Sequence, residues 1–490
     1  MIRHPSIENK VALFEQSLLE HFGFPPTSGQ AKLFYAFSRF VHSLQPRCAL
    51  VIKGYAGTGK TTCVSAMVKS LEAIGGNVVL LAPTGRAAKV LANYSGRQAW
   101  TIHKHIYNRK SDKGGHAWYE LRENELKNTV FFVDEASMIG SEKFGMVRGE
   151  VASGDLLEDL MSHVYSGENC RLVLIGDGAQ LPPVGSDKSP ALEIDHLRKE
   201  FYLNIAGIEL SEVIRQQAGS GILENATALR ALITGGTADY PSFHLDDFKD
   251  VVRVEGDVQP YFEDAMGQFG KDDTIIITRS NKRANLFNQQ VRARILEYEE
   301  EINSADRMMV LKNNYFWLDD KSTQAGFIAN GDVIIIRRIM RFEDRENFRF
   351  CRAVVSMMDY PDMPDFETLL LCNSIWEESA SLSFEKMKEL GNIIAQDYPD
   401  ITNMGLLSRA VYNDPYYNAL QVKFAYAITC HKAQGGQWPC VFVDQGYITD
   451  EMLGTELNRW FYTAFTRAQE KLLLVGFDDK MFAHRTAERG

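Results

Sequence analysis

The sequence predicts an α/β protein in which two parallel sheets follow one another along the chain. Short, fully apolar runs recur through the 490 residues, and segments with helical spacing separate most of them. The first set of runs covers residues 49–52, 78–81, 130–133 and 172–175, and the second covers 274–278, 441–443 and 472–475. Fully apolar strands that alternate with helices are typical of a parallel sheet buried on both faces. We therefore expect two α/β domains in tandem.

Helices and a hairpin accompany the first sheet. Apolar residues at helical spacing predict helices over residues 9–22 and 29–44, and Pro25-Pro26-Thr27 separates the two. Residues 106–127 are polar and aromatic, and Asp112-Lys113-Gly114-Gly115 marks a turn within them. This pattern predicts a small hairpin inserted into the first domain.

A longer insertion interrupts the second domain. The tight turn Asn330-Gly331-Asp332 precedes an apolar strand, and a second strand spans residues 349–357. Two strands of this kind predict a small antiparallel barrel, and residues 381–397 within the insertion have helical spacing. The expected domains are residues 1–215, residues 216–299 together with 421–490, and an insertion over 300–420.

Composition narrows the class of protein. No stretch approaches the roughly 20 apolar residues of a membrane span, and the first residues do not predict a signal peptide. The seven cysteines are scattered without a CxxC pair, which favours reduced thiols in a cytoplasmic protein. The net charge of −11 argues against a nucleic-acid-binding protein, because a phosphate backbone attracts positive charge. That argument is weak for a protein that contacts only a few phosphates in a groove, because local charge matters there more than the total.

A phosphate-binding loop is the strongest single pattern. The run Gly54-Tyr55-Ala56-Gly57-Thr58-Gly59-Lys60-Thr61 follows a buried strand and leads into a predicted helix over 61–74. Glycines let backbone N–H groups converge on phosphates, and the helix N-terminus adds its positive dipole. Lys60 is expected to reach the β- and γ-phosphates of ATP, and Thr61 to bind Mg²⁺. The nucleotide-binding residues predicted here are Gly54, Ala56, Gly57, Thr58, Gly59, Lys60, Thr61 and Thr62.

Two later strands end in residues that suit ATP hydrolysis. Asp134 and Glu135 follow the strand 130–133, where a carboxylate beside the loop can hold Mg²⁺ and a second can act as general base. Taken alone, such an acidic pair is as often an ordinary helix start as a catalytic pair. Gln180 follows the strand 172–175 in a Gly-Asp turn, and a neutral amide there can sense a γ-phosphate. The alternative for Gln180 is a plain loop.

The ordered set of patterns resembles superfamily 1 helicases. The segments in order are GYAGTGKTT, LAPTGRAAKVL, TIH, VDEASM, GDGAQLPPV, RQQ, TCHKAQGGQ and YTAFTRAQ, and the matches span residues 27–475. The resemblance is greatest to the RecD-like branch, which is similar to small phage and Pif-type helicases that move 5′ to 3′ on single-stranded DNA. It implies two RecA-like P-loop domains with a small hairpin insertion and an SH3-like β-barrel insertion.

The resemblance also implies roles that the residues alone do not. Gln30, in the motif with Thr27, would read the adenine edge. Arg215 and Arg467 would reach the γ-phosphate, with Arg467 as an arginine finger from the second domain. Gln434 and Gly435 would approach the nucleotide, and Gly436 departs from the bulkier residue common in the family. Taken alone, Arg467 is a surface charge on a helix.

Contacts to DNA are implied in the same way. The candidate residues are Pro83, Thr84, Gly85, Thr101, His103, Thr429, His431 and Lys432. Without the family, the lone His103 is more often structural. The hairpin matches in position an element that splits the duplex, with candidate contacts at Lys104, Arg109, Lys110, Lys113, Trp118 and Tyr119. The barrel matches a domain that closes over the strand, with Arg337, Arg338 and Arg341 as candidates. A solvated face is the alternative for both basic sets.

The function that these residues predict is an ATP-dependent DNA helicase that uses Mg²⁺. It is expected to act on single-stranded DNA and forked duplex as a monomeric motor, without a membrane partner. An RNA helicase or a translocase that does not separate strands has nearly the same motor patterns. A non-motor P-loop ATPase and an inactive binding module are further alternatives. The second α/β half argues against the former, and intact Lys60, Asp134, Glu135 and Arg467 argue against the latter.

Overall fold

Two parallel sheets and a closed barrel make up the molecule. A computed structural model describes residues 6–111, 117–140, 154–213, 219–237, 239–245, 248–318 and 327–482. The helices are α1 Ile7–Phe22, α2 Ser28–Val41, α3 Lys60–Ala73, α4 Gly85–Ser95, α5 Ile102–Ile106, α6 Leu156–Ser166, α7 Ile194–Phe201, α8 Gly221–Gly235, α9 Val258–Phe269, α10 Asn281–Gln290, α11 Phe384–Ala395, α12 Met404–Tyr412, α13 Cys430–Ala433 and α14 Thr455–Phe465.

The strands of the first half are β1 Cys48–Gly54, β2 Asn77–Ala82, β3 Ala99–Thr101, β4 Tyr107–Ser111, β5 Ala117–Leu121, β6 Thr129–Val133, β7 Arg171–Gly176 and β8 Asn204–Leu210. Those of the second half are β9 Val251–Val254, β10 Thr274–Thr278, β11 Arg307–Val310, β12 Val333–Arg345, β13 Phe348–Met357, β14 Phe366–Leu371, β15 Leu420–Phe424, β16 Ala427–Thr429, β17 Trp438–Asp444 and β18 Ala468–Val475.

The first sheet has the order β3-β2-β6-β7-β1-β8, and all its pairs are parallel. Its four central strands are the four apolar runs of the sequence, which confirms the predicted parallel sheet. Leu50 and Ile52 pack with helices α1 to α3, whereas Ala49 and Val51 pack with α6 on the opposite face. The edge strands were not predicted, because β3 has only three residues and β8 is largely exposed.

The second sheet has the order β16-β10-β17-β18-β9 and is also parallel. The three predicted apolar runs form its centre, and the two unpredicted strands are its short edges. Phe442 packs in one hydrophobic cluster with Met308 and Val355 of the barrel. The barrel is therefore attached through a continuous core to one face of the second sheet.

A closed five-stranded barrel, β11-β12-β13-β14-β15, confirms the predicted barrel insertion. The expectation of a purely antiparallel barrel is wrong at one pair, since β14 and β15 are parallel. A parallel pair needs a long crossover, and residues 372–419 supply it with α11 and α12. The segment predicted as helical over 381–397 corresponds to α11.

The predicted hairpin is present as the antiparallel pair β4 and β5. Its turn, with Lys113, lies outside the described residues, as do the side chains of Arg109, Lys110, Trp118 and Tyr119. Within the part of the chain that the structure describes, no helix combines the length and the apolar character that crossing a membrane requires.

Candidate nucleotide site and nucleic-acid interface

The phosphate-binding loop joins β1 to α3. Gly57 and Gly59 have φ of 75°, in the left-handed region that glycine adopts without strain. The ammonium of Lys60 donates to the carbonyl oxygens of Gly54, at 2.5 Å, and Tyr55, at 2.9 Å. Helix α3 begins at Lys60, so its unpaired N–H groups face the loop. The loop therefore has the backbone and the cation that a phosphate group needs.

One cleft of about 1410 Å³ brings most of the predicted ATP-site residues together. The predicted residues that line it are Ala56, Gly57, Gly59, Lys60, Thr61, Thr62, Asp134, Glu135, Gln180 and Arg467. Arg467 comes from the second half of the chain and all the others from the first. The cleft is therefore composite, with walls from both α/β halves.

Asp134 and Glu135 lie where β6 ends. The carboxylate of Asp134 accepts a hydrogen bond from its neighbour's N–H at 2.9 Å and from the Tyr94 hydroxyl at 2.5 Å. Glu135 has φ of 51°, a left-handed conformation that is strained for a glutamate. Burial raises the pKa of Glu135 above its ordinary value, and Asp134 raises it further, although Arg467 lowers it. A carboxylate with a raised pKa is better matched to general-base catalysis near neutral pH.

The donors around Asp134 fit a magnesium ion. The Thr61 hydroxyl and the Asp134 carboxylate line the same cleft, and both are oxygen ligands of the kind that Mg²⁺ prefers. The described residues contain no group of three or more His, Cys, Asp or Glu side chains that could hold a metal.

Three predicted nucleotide contacts lie beside the cleft. Gln30 braces the loop, because its amide accepts from Thr27 N–H at 2.9 Å and donates to the Thr58 carbonyl at 3.1 Å. Gln434 donates to the Leu181 carbonyl at 2.7 Å. Gly435 has φ of 72°, and a Cβ there would meet Ala87 and Thr84 of the first half. Gln30 and Gln434 thus bond to other segments of the protein that border the cleft. The remaining predicted contact, Arg215, lies outside the described residues.

The guanidinium of Arg467 is held by the second half of the chain. It is 3% exposed. It donates to the carbonyl oxygens of Thr463, at 3.0 Å, and Gly436, at 3.1 Å, and to the Thr466 hydroxyl at 3.2 Å. Its charge nevertheless reaches across the cleft, since it lowers the pKa of Glu135.

The predicted DNA contacts follow the carboxyl ends of parallel strands. Pro83, Thr84 and Gly85 follow β2, Thr101 ends β3, and Thr429 ends β16. Because β2 and β3 are neighbours, the two threonines of the first sheet share one edge. The Thr84 and Thr101 hydroxyls each accept a backbone N–H at 3.2 Å as helix N-caps.

The two halves meet at these predicted DNA contacts. A Cβ on Gly435 would lie 3.0 Å from Ala87 Cβ and 3.3 Å from the Thr84 hydroxyl. On the other side, a Cβ on Gly85 would lie 2.7 Å from a carboxylate oxygen of Asp332 in the barrel. Both glycines are therefore needed for close approach. The segments that follow β2 and β16 and the barrel turn at Asn330 to Asp332 therefore lie against one another.

The basic candidates differ in charge. Burial lowers the pKa of His103 to about 4, which leaves it neutral at pH 7. Burial, with help from Lys423, lowers the pKa of Lys432 to about 8, and its ammonium contacts the Asn330 side chain of the barrel. The His431 side chain reaches solvent, and partial desolvation by the groups around it lowers its pKa. Lys432 is thus the cation of this set at neutral pH.

The barrel arginines are exposed. Arg341 is 2.8 Å from Glu343, and Arg337 donates to the Ser356 hydroxyl at 2.8 Å. Arg338 lies beside them on β12.

Sequence patterns missed three side-chain contacts at the site, of which the second and third connect the two halves. Tyr94 donates to Asp134. The guanidinium carbon of Arg86 lies 3.9 Å above the ring of Trp438. Tyr462 donates to Asp177 at 2.7 Å across 285 residues of sequence. All of them lie in or beside recognised motifs, yet a contact between distant motifs leaves no local signal.

Comparison with known proteins agrees with this architecture. Residues 35–239 match the AAA domain family, and residues 424–475 match the UvrD-like helicase C-terminal domain family. The ATP-dependent DNA helicase dda of Enterobacteria phage T4 is 23% identical over 468 residues, covering 90% of this chain and 98% of that protein. The ATP-dependent RecD2 DNA helicase of Deinococcus radiodurans is 32% identical over 183 residues, 37% of this chain and 21% of that protein.

A solved Pif1 helicase from Bacteroides, in complex with ADP-AlF3 and single-stranded DNA, aligns with 94% of this chain and 95% of its own. The TM-score is 0.45 and the identity 14%.

The fold and the site define a P-loop protein with two α/β halves around one nucleotide cleft. Its ordered motifs and its relatives narrow the class of P-loop protein further. The two family matches and the helicase relatives confirm the predicted resemblance of the chain to superfamily 1 helicases of the RecD-like branch.

Proposed function

We propose that the protein is an ATP-dependent DNA helicase that moves 5′ to 3′ on single-stranded DNA and unwinds duplex. The observation that carries this proposal is the composite cleft, in which Lys60 and Glu135 of the first half face Arg467 of the second. A site divided in this way converts the presence of a γ-phosphate into domain closure, and its loss into opening.

Lys60, Glu135, Gln180 and Arg467 of the cleft are assigned separate roles in hydrolysis. Lys60 and the loop N–H groups hold the β- and γ-phosphates, and Glu135 accepts a proton from the attacking water as the γ-phosphoryl bond breaks. Gln180 senses the γ-phosphate. Arg467, with Arg215, neutralises charge on the transferring group.

Thr61 and Asp134 would hold Mg²⁺, which when bound neutralises charge on the phosphate oxygens. Gln30 is a candidate for reading adenine. In this structure its amide contacts Thr27 and Thr58, which uses one of its two N–H groups and one of its two oxygen lone pairs.

The DNA strand is proposed to run along the carboxyl edge of both sheets. Thr84, Thr101 and Thr429 offer hydroxyls to phosphates there, and Lys432 offers a cation. The remaining proposed DNA contacts are Pro83, Gly85, His103 and His431. The barrel turn at Asn330 to Asp332 lies over this line, and the hairpin is proposed to split the duplex ahead of it.

The motor halves are proposed to be residues 1–215 and residues 216–299 with 421–490, with 300–420 as the barrel insertion. A single chain supplies both walls of the cleft, so we propose a monomeric motor. The seven free cysteines favour a reducing compartment, the cytoplasm.

A forked-substrate experiment tests polarity and track together. Matched duplexes carry a 5′ or a 3′ single-stranded tail, each in DNA and in RNA, and strand separation is followed with ATP and Mg²⁺. We expect unwinding of the 5′-tailed DNA fork and little of the 3′-tailed fork. Preferred unwinding of the RNA forks would indicate an RNA helicase. ATP hydrolysis stimulated by single strands without strand separation would indicate a translocase.

The raised pKa of Glu135 predicts a pH dependence of hydrolysis. Protonated glutamic acid cannot take a proton from water, so kcat should fall as pH falls through the pKa of Glu135. Because burial raises that pKa, and phosphates nearby add negative charge, the fall should be centred above the ordinary glutamate value of about 4.3. The measurement is kcat at saturating ATP and DNA between pH 5 and 8. A constant kcat over this range would contradict a raised pKa for the base.

A further inference from the structure

The hydroxyl of Tyr462 joins two loops of the first half of the chain. Tyr462 lies on α14 in the second half and is 1% exposed. Its oxygen accepts a hydrogen bond from the N–H of Ala56 at 2.9 Å. Its proton is donated to a carboxylate oxygen of Asp177 at 2.7 Å. One buried side chain therefore contacts both the phosphate-binding loop and the loop that follows β7.

Both ends of this bridge belong to the nucleotide cleft. Ala56 and Asp177 each line it. The second carboxylate oxygen of Asp177 accepts the Ala179 N–H at 2.9 Å, and its carbonyl accepts the Gln180 N–H at 3.3 Å. Asp177 thus shapes the turn that presents Gln180, and Tyr462 holds Asp177.

The next residue of α14 holds the far side of the same turn. The Thr463 hydroxyl accepts the Leu181 N–H at 2.8 Å, and its carbonyl accepts from the guanidinium of Arg467 at 3.0 Å. Gln434 also bonds Leu181. Two consecutive residues of one helix therefore connect the Gln180 turn, the phosphate-binding loop and Arg467.

We propose that Tyr462 is a positioning residue of the ATP site, which keeps Gln180 and Arg467 in register with the phosphate-binding loop. This inference rests on the proposed ATPase function. Gln180 and Arg467 act on the γ-phosphate, whereas Lys60 and the loop N–H groups also hold the β-phosphate. Loss of the bridge therefore weakens the response to ATP and leaves the response to ADP nearly unchanged.

The chain contains a matched control. Tyr426 is 0% exposed, and its hydroxyl accepts the Arg307 N–H at 3.3 Å and donates to Asp306 at 3.0 Å. It makes the same kind of bridge, between a backbone N–H and a buried aspartate. It lies where the barrel joins the second half, and it does not line the nucleotide cleft. Tyr462→Phe and Tyr426→Phe therefore remove equivalent hydrogen bonds in different places.

The experiment compares these two variants with the wild-type protein. The readouts are Tm, DNA-stimulated kcat and KM, and Kd for ADP and for a non-hydrolysable ATP analogue. For Tyr462→Phe we expect Kd for ADP within about two-fold of wild type, with analogue affinity and kcat each reduced about ten-fold, since hydrogen bonds to charged groups reach this size. Both variants lose buried hydrogen bonds, so we expect a similar fall in Tm for each. For Tyr426→Phe, kcat and both affinities should stay unchanged.

The remaining outcomes separate the hypotheses. Equal losses of ADP and analogue affinity, or a lowered Tm with normal kcat, would overturn the positioning role and leave the proposed function intact. Should Tyr462→Phe fail to fold, Thr463→Val removes the neighbouring contact without a change in shape and must show the same ATP-selective loss. A wild-type protein without ATPase activity would refute the proposed function. Even then, the ratio of the Kd values for ADP and for the ATP analogue would test the role of Tyr462.

Discussion

Lys60→Ala is expected to abolish ATP hydrolysis. In the structure the Lys60 ammonium is held by the carbonyl oxygens of Gly54 and Tyr55, within the loop that begins α3. Hydrolysis spreads negative charge over the γ-phosphoryl oxygens, and a cation held in place beforehand stabilises that charge without reorganisation. Loss of one such stabilising group costs about 100-fold or more in kcat. The measurement is steady-state ATPase with saturating single-stranded DNA.

A matched control for this variant is Lys53→Ala. Lys53 lies on β1, immediately before the loop, and its ammonium is 3.5 Å from the carboxylate of Glu193. It does not line the nucleotide cleft. A partly exposed ion pair contributes little, so this variant should keep near-normal turnover. Near-normal turnover in Lys60→Ala would refute the assignment of the phosphate-binding loop.

The sequence predicted the parts of the fold that depend on local pattern. Central strands of a parallel sheet are apolar on both faces, so their runs stand out, as in residues 130–133 and 172–175. The edge strand β8 carries exposed residues and has no such run. The parallel pairing of β14 with β15 was missed because it depends on the crossover through α11 and α12, and not on either strand.

The site was predictable where chemistry demands fixed residue types at fixed spacing. The phosphate-binding loop, with Asp134 and Glu135, meets in one cleft as expected. Contacts between distant segments were not predictable. The amide of Gln30 braces the loop at Thr58, and Tyr462 links Ala56 to Asp177. These partners are set by tertiary packing, and no period or spacing in the sequence encodes them.

Glu135→Gln is expected to bind ATP and hydrolyse it slowly. The amide has nearly the shape of the protonated acid but cannot accept the proton of the attacking water. General-base catalysis contributes about 100- to 10,000-fold, so kcat should fall within that range. Lys60 and the loop N–H groups are unchanged, so Kd for ATP should stay within a few-fold of wild type. Removal of a negative charge from beside the phosphates reduces charge repulsion with them.

The pH profile gives this variant a second, independent signature. In the wild type the fall in kcat toward low pH is attributed to protonation of Glu135, whose pKa burial raises. The glutamine has no proton to gain, so its residual kcat should be nearly independent of pH over the same range. Glu193→Gln, which removes a carboxylate from the Lys53 pair outside the nucleotide cleft, serves as the control and should keep the wild-type profile. If Glu135→Gln loses ATP binding and hydrolysis equally, or keeps the wild-type fall in kcat, then Glu135 is not the base and another group must take the proton.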